Sequence, residues 1–399
     1  MKYNLTEISN KYGYIKNNLE KVIRLAEILN IIYTTEYKDK LVLKGGTCIN
    51  LFYRDMPRLS VDIDLDYIGS VRKEKMLEEK IAISDFLERR LENENYYLST
   101  DKTKRYYALD SLVFKYNSES GGTDNIKIEI NYMDRLHLYP LEKKKCQNKL
   151  LNEDTKIVIL SEMEVYACKI VALLNRATPR DLYDVVEMIK CNKELNIERD
   201  LLRKAVIFYN CISGEANLLD DNVYNKIKGI TQNEIFRYLM PMLMKNDKID
   251  LEQEKENVIV NLKKVLKYTK EEREFITEFY NKKVLPDKLY KDEKIQKIVL
   301  NHPMVEFKLK NMGDELTMYW YNKEVQEVER MTKELFVKIF LQNDIRRGNK
   351  IWNELKKEVK ASSLICNGSK YVVRTDRNDW CVYGINLNKE IAKEIYEEE

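Results

Sequence analysis

The chain has 399 residues, 44% hydrophobic and 34% charged, the composition of a soluble globular protein long enough for two or three domains with real cores. Its 69 Lys and Arg against 66 Asp and Glu leave a net charge of only +3, so any nucleic-acid contact must come from a local patch. No run approaches 18 uncharged apolar residues, which argues against a membrane span. Only His137 and His302 are available for a zinc site or a His-based triad, so neither is well supported.

The opening Met1-Lys2-Tyr3-Asn4 lacks the apolar core of a secretion signal. Seven scattered cysteines without a C-x-x-C pair likewise suggest reduced thiols in a cytoplasm. Ile15, Leu19, Val22, Ile23, Ala26 and Leu29 fall on one stripe and predict a long amphipathic helix. Next come a short strand, Leu41-Val42-Leu43, a Gly45-Gly46-Thr47 turn, a helix from about Cys48 to Arg54, and a strand carrying Asp62, Asp64 and Asp66. Residues 72–94 read as a helix, with Tyr106-Tyr107-Ala108 and Leu112-Val113-Phe114 as a strand pair. After a turn at Gly121–Asn125, the strand Ile126–Tyr132 turns Ile126, Ile128 and Ile130 one way and Lys127, Glu129 and Asn131 the other.

A strand at Lys156–Leu160 leads to the capping box Ser161-x-x-Glu164, and the pattern is then helical to about Lys310, with a second box at Thr269-x-x-Glu272. The tail predicts a long helix around Glu324–Asn343. A hairpin follows, Leu364-Ile365-Cys366 and Tyr371-Val372-Val373 about Asn367-Gly368, and then a third strand at Trp380–Tyr383.

The chemistry concentrates between residues 44 and 66. Alternate strand positions share a face, so Asp62, Asp64 and Asp66 stand side by side, which is costly without a balancing cation. A hard ion such as Mg²⁺, held by one or two carboxylates plus substrate phosphates, is the simplest balance. Gly45 and Gly46 allow close backbone approach to a phosphate. Thr47 is placed to cap the following helix and to bond a phosphate oxygen. A D-x-D alone is common and usually marks a solvated acidic strand; its order after strand, Gly-Gly-Thr and helix is more specific. No Walker A pattern occurs.

With Lys44-Gly45-Gly46-Thr47 and Arg58-x-Ser60-x-Asp62-Ile63-Asp64-Leu65, the chain resembles the DNA polymerase β-like nucleotidyltransferase superfamily, and within it the AbiEii-type toxins. Lys169, the run Arg180-Asp181-Leu182-Tyr183-Asp184, and the echo His302-Pro303 with Phe307-Lys308 extend the resemblance over roughly residues 15–310. It implies an α/β (α+β) fold. A nucleotidyltransferase domain spans residues 1–160, a helical domain completing the site spans 161–312, and a C-terminal α/β appendage of unassigned role spans 313–399.

The resemblance also implies roles. Asp62 and Asp64 are the expected ligands of Mg²⁺, with Mn²⁺ as the alternative ion. Glu129 is the candidate third acid, unless it simply pairs with Lys127. Lys169 is placed to reach the β- or γ-phosphate of an NTP, and Asp181, at a helix start, to orient Lys169 or the acceptor. Asp184 is held in reserve as a local partner of Arg180. Arg58 and Ser60 are assigned to the triphosphate, and Asp66 is accessory, at a solvent-facing strand end.

The implied reaction is NMP transfer from an NTP to RNA, with a tRNA 3′ end as acceptor, by a growth-arresting toxin of a toxin–antitoxin or abortive-infection system in the cytoplasm. An antitoxin encoded alongside is expected to oppose it without a stable complex. The basic residues considered for RNA are Lys143, Lys144, Lys145, Lys149, Arg176 and Arg180, although such runs are usually solvated loops. Two other readings leave the same motif: transfer to a protein or small molecule, and a non-catalytic binding module.

Overall fold

The computed structural model describes residues 4–146, 155–191 and 199–311, and, further on, 316–322, 327–331, 336–338, 341–366, 369–376, 379–385, 387 and 389–398. The chain divides into two compact units, Met1–Glu306 and Phe307–Glu399. The change from sheet to helices near residue 160 falls inside the first unit.

Helices α1 (Leu5–Tyr12) and α2 (Lys16–Tyr33) open the first unit. Leu19, Val22, Ile23, Ala26 and Leu29 are buried as the stripe requires, but Ile15 precedes α2 and stays 44% exposed. The mixed sheet contains β1 (Leu41–Lys44), β2 (Asp62–Tyr67), β3 (Tyr97–Leu98), β4 (Lys104–Arg105), β5 (Leu109–Asn117), β6 (Thr123–Asn131), β7 (Glu142–Lys145) and β8 (Lys156–Ile159). Its order is β3-β5-β6-β2-β1-β8-β7, with β4 also on β5.

The motif strand β2 is central, antiparallel to β1 and parallel to β6. Ile63 and Leu65 are fully buried, as are all three apolar residues of β1, so the period-two pattern of β2 decides which face carries the aspartates. Of the strand pair expected near residue 106, Leu112-Val113-Phe114 lies in β5, but Tyr106-Tyr107-Ala108 is corrected to the turn between β4 and β5, because Lys104 and Arg105 take the ladder positions opposite Ser111 and Asp110. Lys143-Lys144-Lys145 is not a loop: it lies on edge strand β7, paired with β8. Strand alternation fits a charged edge, where lysines discourage further pairing.

After α3 (Gly45–Cys48) and α4 (Lys73–Glu92), the helices α5 (Glu162–Asn175), α6 (Pro179–Cys191) and α7 (Arg199–Ser213) begin the helical part. Ser161 caps α5 by accepting from the Glu164 amide, but the Glu164 side chain does not close the expected box. It is fully buried and accepts from the Leu138 and Tyr139 amides, 3.0 and 3.2 Å away. The box at Thr269 and Glu272 is complete.

His302 is 1% exposed. Its Nδ1 accepts from the Met304 amide, which leaves Nε2 to donate to the Leu136 carbonyl, 3.0 Å away. Burial, with His137 nearby, lowers its pKa to about 4 against the opposing pull of Asp134. Because the fold prefers neutral His302, this contribution is fully present above pH ~6.5 and is lost as pH falls toward about 4, roughly 3 kcal/mol in all. A His302→Gln variant keeps the two hydrogen bonds and cannot charge. Its melting temperature is therefore expected to fall less than the parent's between pH 7 and 4.5, and parallel curves would contradict this.

The second unit is an antiparallel sheet ordered β10-β9-β13-β12-β11, from β9 (Leu316–Asn322), β10 (Glu327–Met331), β11 (Ile365–Cys366), β12 (Ser369–Asp376) and β13 (Asp379–Ile385). The hairpin and third strand stand where expected, with Asn367-Gly368 itself outside the described residues.

The helix expected around Glu324–Asn343 is corrected: residues 327–331 form a strand on β9. The reason is two-sided burial. Met331 joins Trp352, Leu355 and Val359 of helix Ile345–Ala361 on one face, while Val328 joins Ala392 and Ile395 of helix Lys389–Glu398 on the other.

Candidate active site

The strand β1 ends at Lys44, and the chain turns directly into a helix, Gly45–Cys48, that continues as a π-helical turn, Ile49–Tyr53. The helix thus begins three residues before the expected Cys48, and Lys44, not Thr47, occupies the N-cap position, without a side-chain cap. Thr47 is no cap. It is fully buried and donates its hydroxyl to the Asp62 carbonyl, 2.5 Å away, tying the helix to the start of β2.

Gly45 has φ +71°, and a Cβ there would stand 2.3 Å from Oδ2 of Asp64. At Gly46 a Cβ would lie 2.7 Å from both an Arg58 guanidinium nitrogen and the Ser60 hydroxyl. Both glycines are therefore required by close approach. Gly45→Ala is expected to cost about 1–3 kcal/mol in backbone strain and to displace the Asp64 carboxylate. The check is a lower melting temperature together with weakened metal-dependent NTP binding.

Of the three aspartates of β2, two differ in kind from the third. Asp66 does not face solvent. It is 1% exposed, 2.5 Å from Lys44 Nζ, and burial pushes its pKa up to about 7 against the pull of Lys44. Lys44 also lies 3.5 Å from Asp134, and His137 stands 3.9 Å from Asp66 and 3.3 Å from Glu164. The Asp62 and Asp64 carboxylates have no ion pair or hydrogen bond among the described residues. Burial, with Asp62 and Glu129 adding repulsion, holds Asp64 above the ordinary carboxylate range in spite of Lys44 and Lys169.

Glu129 is the direct register neighbour of Asp64 across the parallel β2–β6 pair, and its Oε2 lies 3.2 Å from Lys127. No group of three or more His, Cys, Asp or Glu side chains among the described residues is gathered to hold a metal by itself. The donor set fits a divalent ion all the same: Asp62 and Asp64 are two uncompensated carboxylates, and Mg²⁺ takes one or two such ligands and completes its shell with phosphates and water.

Opposite these carboxylates, α5 presents Lys169, 9% exposed, into a row of alternating charge. Lys169 Nζ lies 2.9 Å from Asp184 and 3.3 Å from Asp181. Asp181, 1% exposed, also accepts from Arg176 at 2.7 and 3.0 Å and from the Thr178 hydroxyl at 2.6 Å. Burial alone would raise the pKa of Asp181; Arg176, Lys169 and Thr178 outweigh it and hold the group well below the usual range. Asp184 is not the partner of Arg180. It binds Arg58 through two parallel bonds of 2.7 Å, and the remaining guanidinium nitrogen donates to the Leu59 carbonyl at 2.9 Å. Arg58, 2% exposed, therefore braces Asp184, with its outer edge against Gly46, while the Ser60 hydroxyl has no hydrogen bond among the described residues.

The row Arg58, Asp184, Lys169, Asp181, Arg176 holds three cations and two anions, so one positive charge remains. A cavity of about 380 Å³ lies beside it, lined by Lys44, Gly45, Asp64, Lys169, Asn175 and Arg176 among others. Sequence reasoning missed Lys44 and Asp134 as a clamp behind the aspartates. It also placed Arg176 on RNA rather than on Asp181. A usable signal was present: Asp181 and Asp184, at i and i+3, share one helix face.

The family described as Nucleotidyl transferase AbiEii toxin, Type IV TA system, matches residues 27–267, which contain every residue of this site. The chain belongs to the AbiEii family. It is accordingly a nucleotidyltransferase toxin of a type IV toxin–antitoxin system. No sequence among the curated proteins matches it. Among solved structures it is similar to MenT4, a nucleotidyltransferase toxin from Mycobacterium tuberculosis H37Rv. The likeness covers 76% of this chain and 99% of that one, with a TM-score of 0.54 and 14% identity. At that identity the likeness is one of fold, and it agrees with the mixed sheet and helical part of this AbiEii member.

Proposed function

We propose that this AbiEii toxin transfers an NMP from an NTP to an RNA acceptor, a tRNA 3′ end, in a Mg²⁺-dependent reaction that arrests growth. The observation that carries this reading is the pairing of two uncompensated carboxylates, Asp62 and Asp64, with a buried, doubly anchored lysine beside one cavity. Asp62 and Asp64 would hold the ion, with Glu129 as the neighbouring acid; when bound, it neutralises phosphate charge and orients the triphosphate. Lys169 supplies a positive point charge to the β- or γ-phosphate. Asp181 and Asp184 fix its position, so no reorganisation is needed when pyrophosphate charge develops. Gly45 and Gly46 admit the phosphates to the helix start, and Thr47 holds that helix against β2. The acceptor hydroxyl gives its proton to solvent, its oxygen bonds to the α-phosphorus, and the bond from that phosphorus to the α,β-bridging oxygen breaks to release pyrophosphate.

A cavity of about 380 Å³ has the size of a single small-ligand site. With the NTP inside, the acceptor hydroxyl approaches from the cavity mouth. The cytoplasm supplies NTP and RNA together, and no helix among the described residues is long and apolar enough to cross a membrane. An antitoxin that acts without a stable complex, and a role in abortive infection, complete the reading. The test is purified protein with each labelled NTP, Mg²⁺ and total RNA. Label on small RNA supports the proposal; label only on protein, or none, overturns it.

A further inference from the structure

The second unit lies beyond the region of the family match, and its charge is sharply divided. Helix Ile345–Ala361 carries six Lys and Arg against two Glu, whereas the helix on the opposite sheet face, Lys389–Glu398, carries two Lys against four Glu. The first helix turns Gly348, Trp352, Leu355 and Val359 into the core. On the opposite side Arg346, Lys350, Asn353, Lys357 and Lys360 are all exposed, at i, i+4, i+7, i+11 and i+14. This acid-free stripe runs about 21 Å along the axis, with Glu354 and Glu358 set off on one flank.

Arg346, Lys350 and Lys357 have no ion-pair partner among the described residues. Glu354 stands one turn from both Lys350 and Lys357, the spacing of a surface ion pair, yet neither lysine is paired with it among the described residues. Lys370 Nζ reaches the Lys360 carbonyl at 3.4 Å and adds a further ammonium at the end of the stripe.

We propose that the outer face of helix Ile345–Ala361 is an RNA-binding surface that grips the acceptor by its phosphate backbone. The inference rests on the reading that the acceptor is RNA and names a second surface for it. Phosphates spaced along a strand are the complement of Arg346, Lys350 and Lys357, and Asn353 adds a neutral donor between them. The grip is independent of base sequence and carries the salt dependence of counterion release.

The experiment measures binding of the full chain to total tRNA from 50 to 250 mM salt. It compares the parent with Arg346→Ala/Lys350→Ala/Lys357→Ala and with a charge-matched control in the first unit, Lys263→Ala/Lys264→Ala/Lys267→Ala. The stripe variant is expected to lose roughly a hundredfold in affinity at 0.1 M salt and to lower the salt slope by about 2–3, with a much smaller change in the control. Equal losses in the two variants, or unchanged binding by the stripe variant, overturn the assignment. So does a salt slope that the stripe substitution leaves unchanged. A chain that labels RNA while the stripe variant binds it undiminished overturns only this surface. A chain that labels nothing yet loses RNA affinity on stripe substitution overturns the catalytic reading instead.

Discussion

Asp62→Asn is expected to abolish NMP transfer and toxicity while leaving the protein as stable as before, or slightly more so. The side chain keeps its shape and loses one negative charge. Charge stabilisation by a divalent ion is worth several kcal/mol in the transition state, so a fall of about 10³-fold or more is expected in turnover. Stability moves the other way because the Asp62 carboxylate has no partner and repels Asp64, whose pKa it helps to raise. Removing that repulsion relieves a strain held at a functional site. Turnover with labelled NTP and a thermal melt without metal, run side by side, check both halves. A fully active Asp62→Asn protein would falsify the metal assignment, and an inactive one that melts far lower would point to a structural role.

Arg58→Ala is expected to be the most destabilising single change at the site. The guanidinium is 2% exposed and makes a two-bond pair with Asp184, itself 2% exposed. Truncating one partner of a buried pair costs about 3–5 kcal/mol, which corresponds to a melting temperature lower by roughly 10 °C. NTP affinity is expected to fall as well, because Asp184 then draws Lys169 toward itself as its sole cation. Arg58→Lys keeps the charge but not the fork and should lie between the two. A melt within 2 °C of the parent and unchanged NTP affinity would remove Arg58 from this bracing role.

Much of the first unit was legible because its signals are local. The stripe of α2, the apolar run of β1, the glycine pair and the alternation of β2 each follow from a repeat of 3.6 or 2 residues within a short window. Those windows also contain Gly45, Gly46, Asp62 and Asp64. Lys169 and Asp181 became legible only through family resemblance, since a lysine inside a helix carries no sign of its own.

Where the reading failed, long-range partners decided. Asp66 looked like a strand-end carboxylate, yet Lys44 of the neighbouring strand and His137 of the loop after β6 enclose it. Glu327–Met331 is charged enough for a helix, but pairing to β9 and burial on two faces make it a strand. The lysines of β7 look like a loop until β8 supplies the ladder.

By itself, the sequence determined which short segments are helix or strand around the motif, and that Asp62, Asp64 and Asp66 share one strand face. Only the tertiary structure decided how the remaining charges are matched: Arg58 to Asp184, 126 residues apart, Lys169 between two aspartates, and Lys44 behind Asp66. The reason is range. Periodicity is set by neighbouring backbone geometry, whereas a buried charge chooses its partner by desolvation, a condition that exists only once distant elements have closed around it.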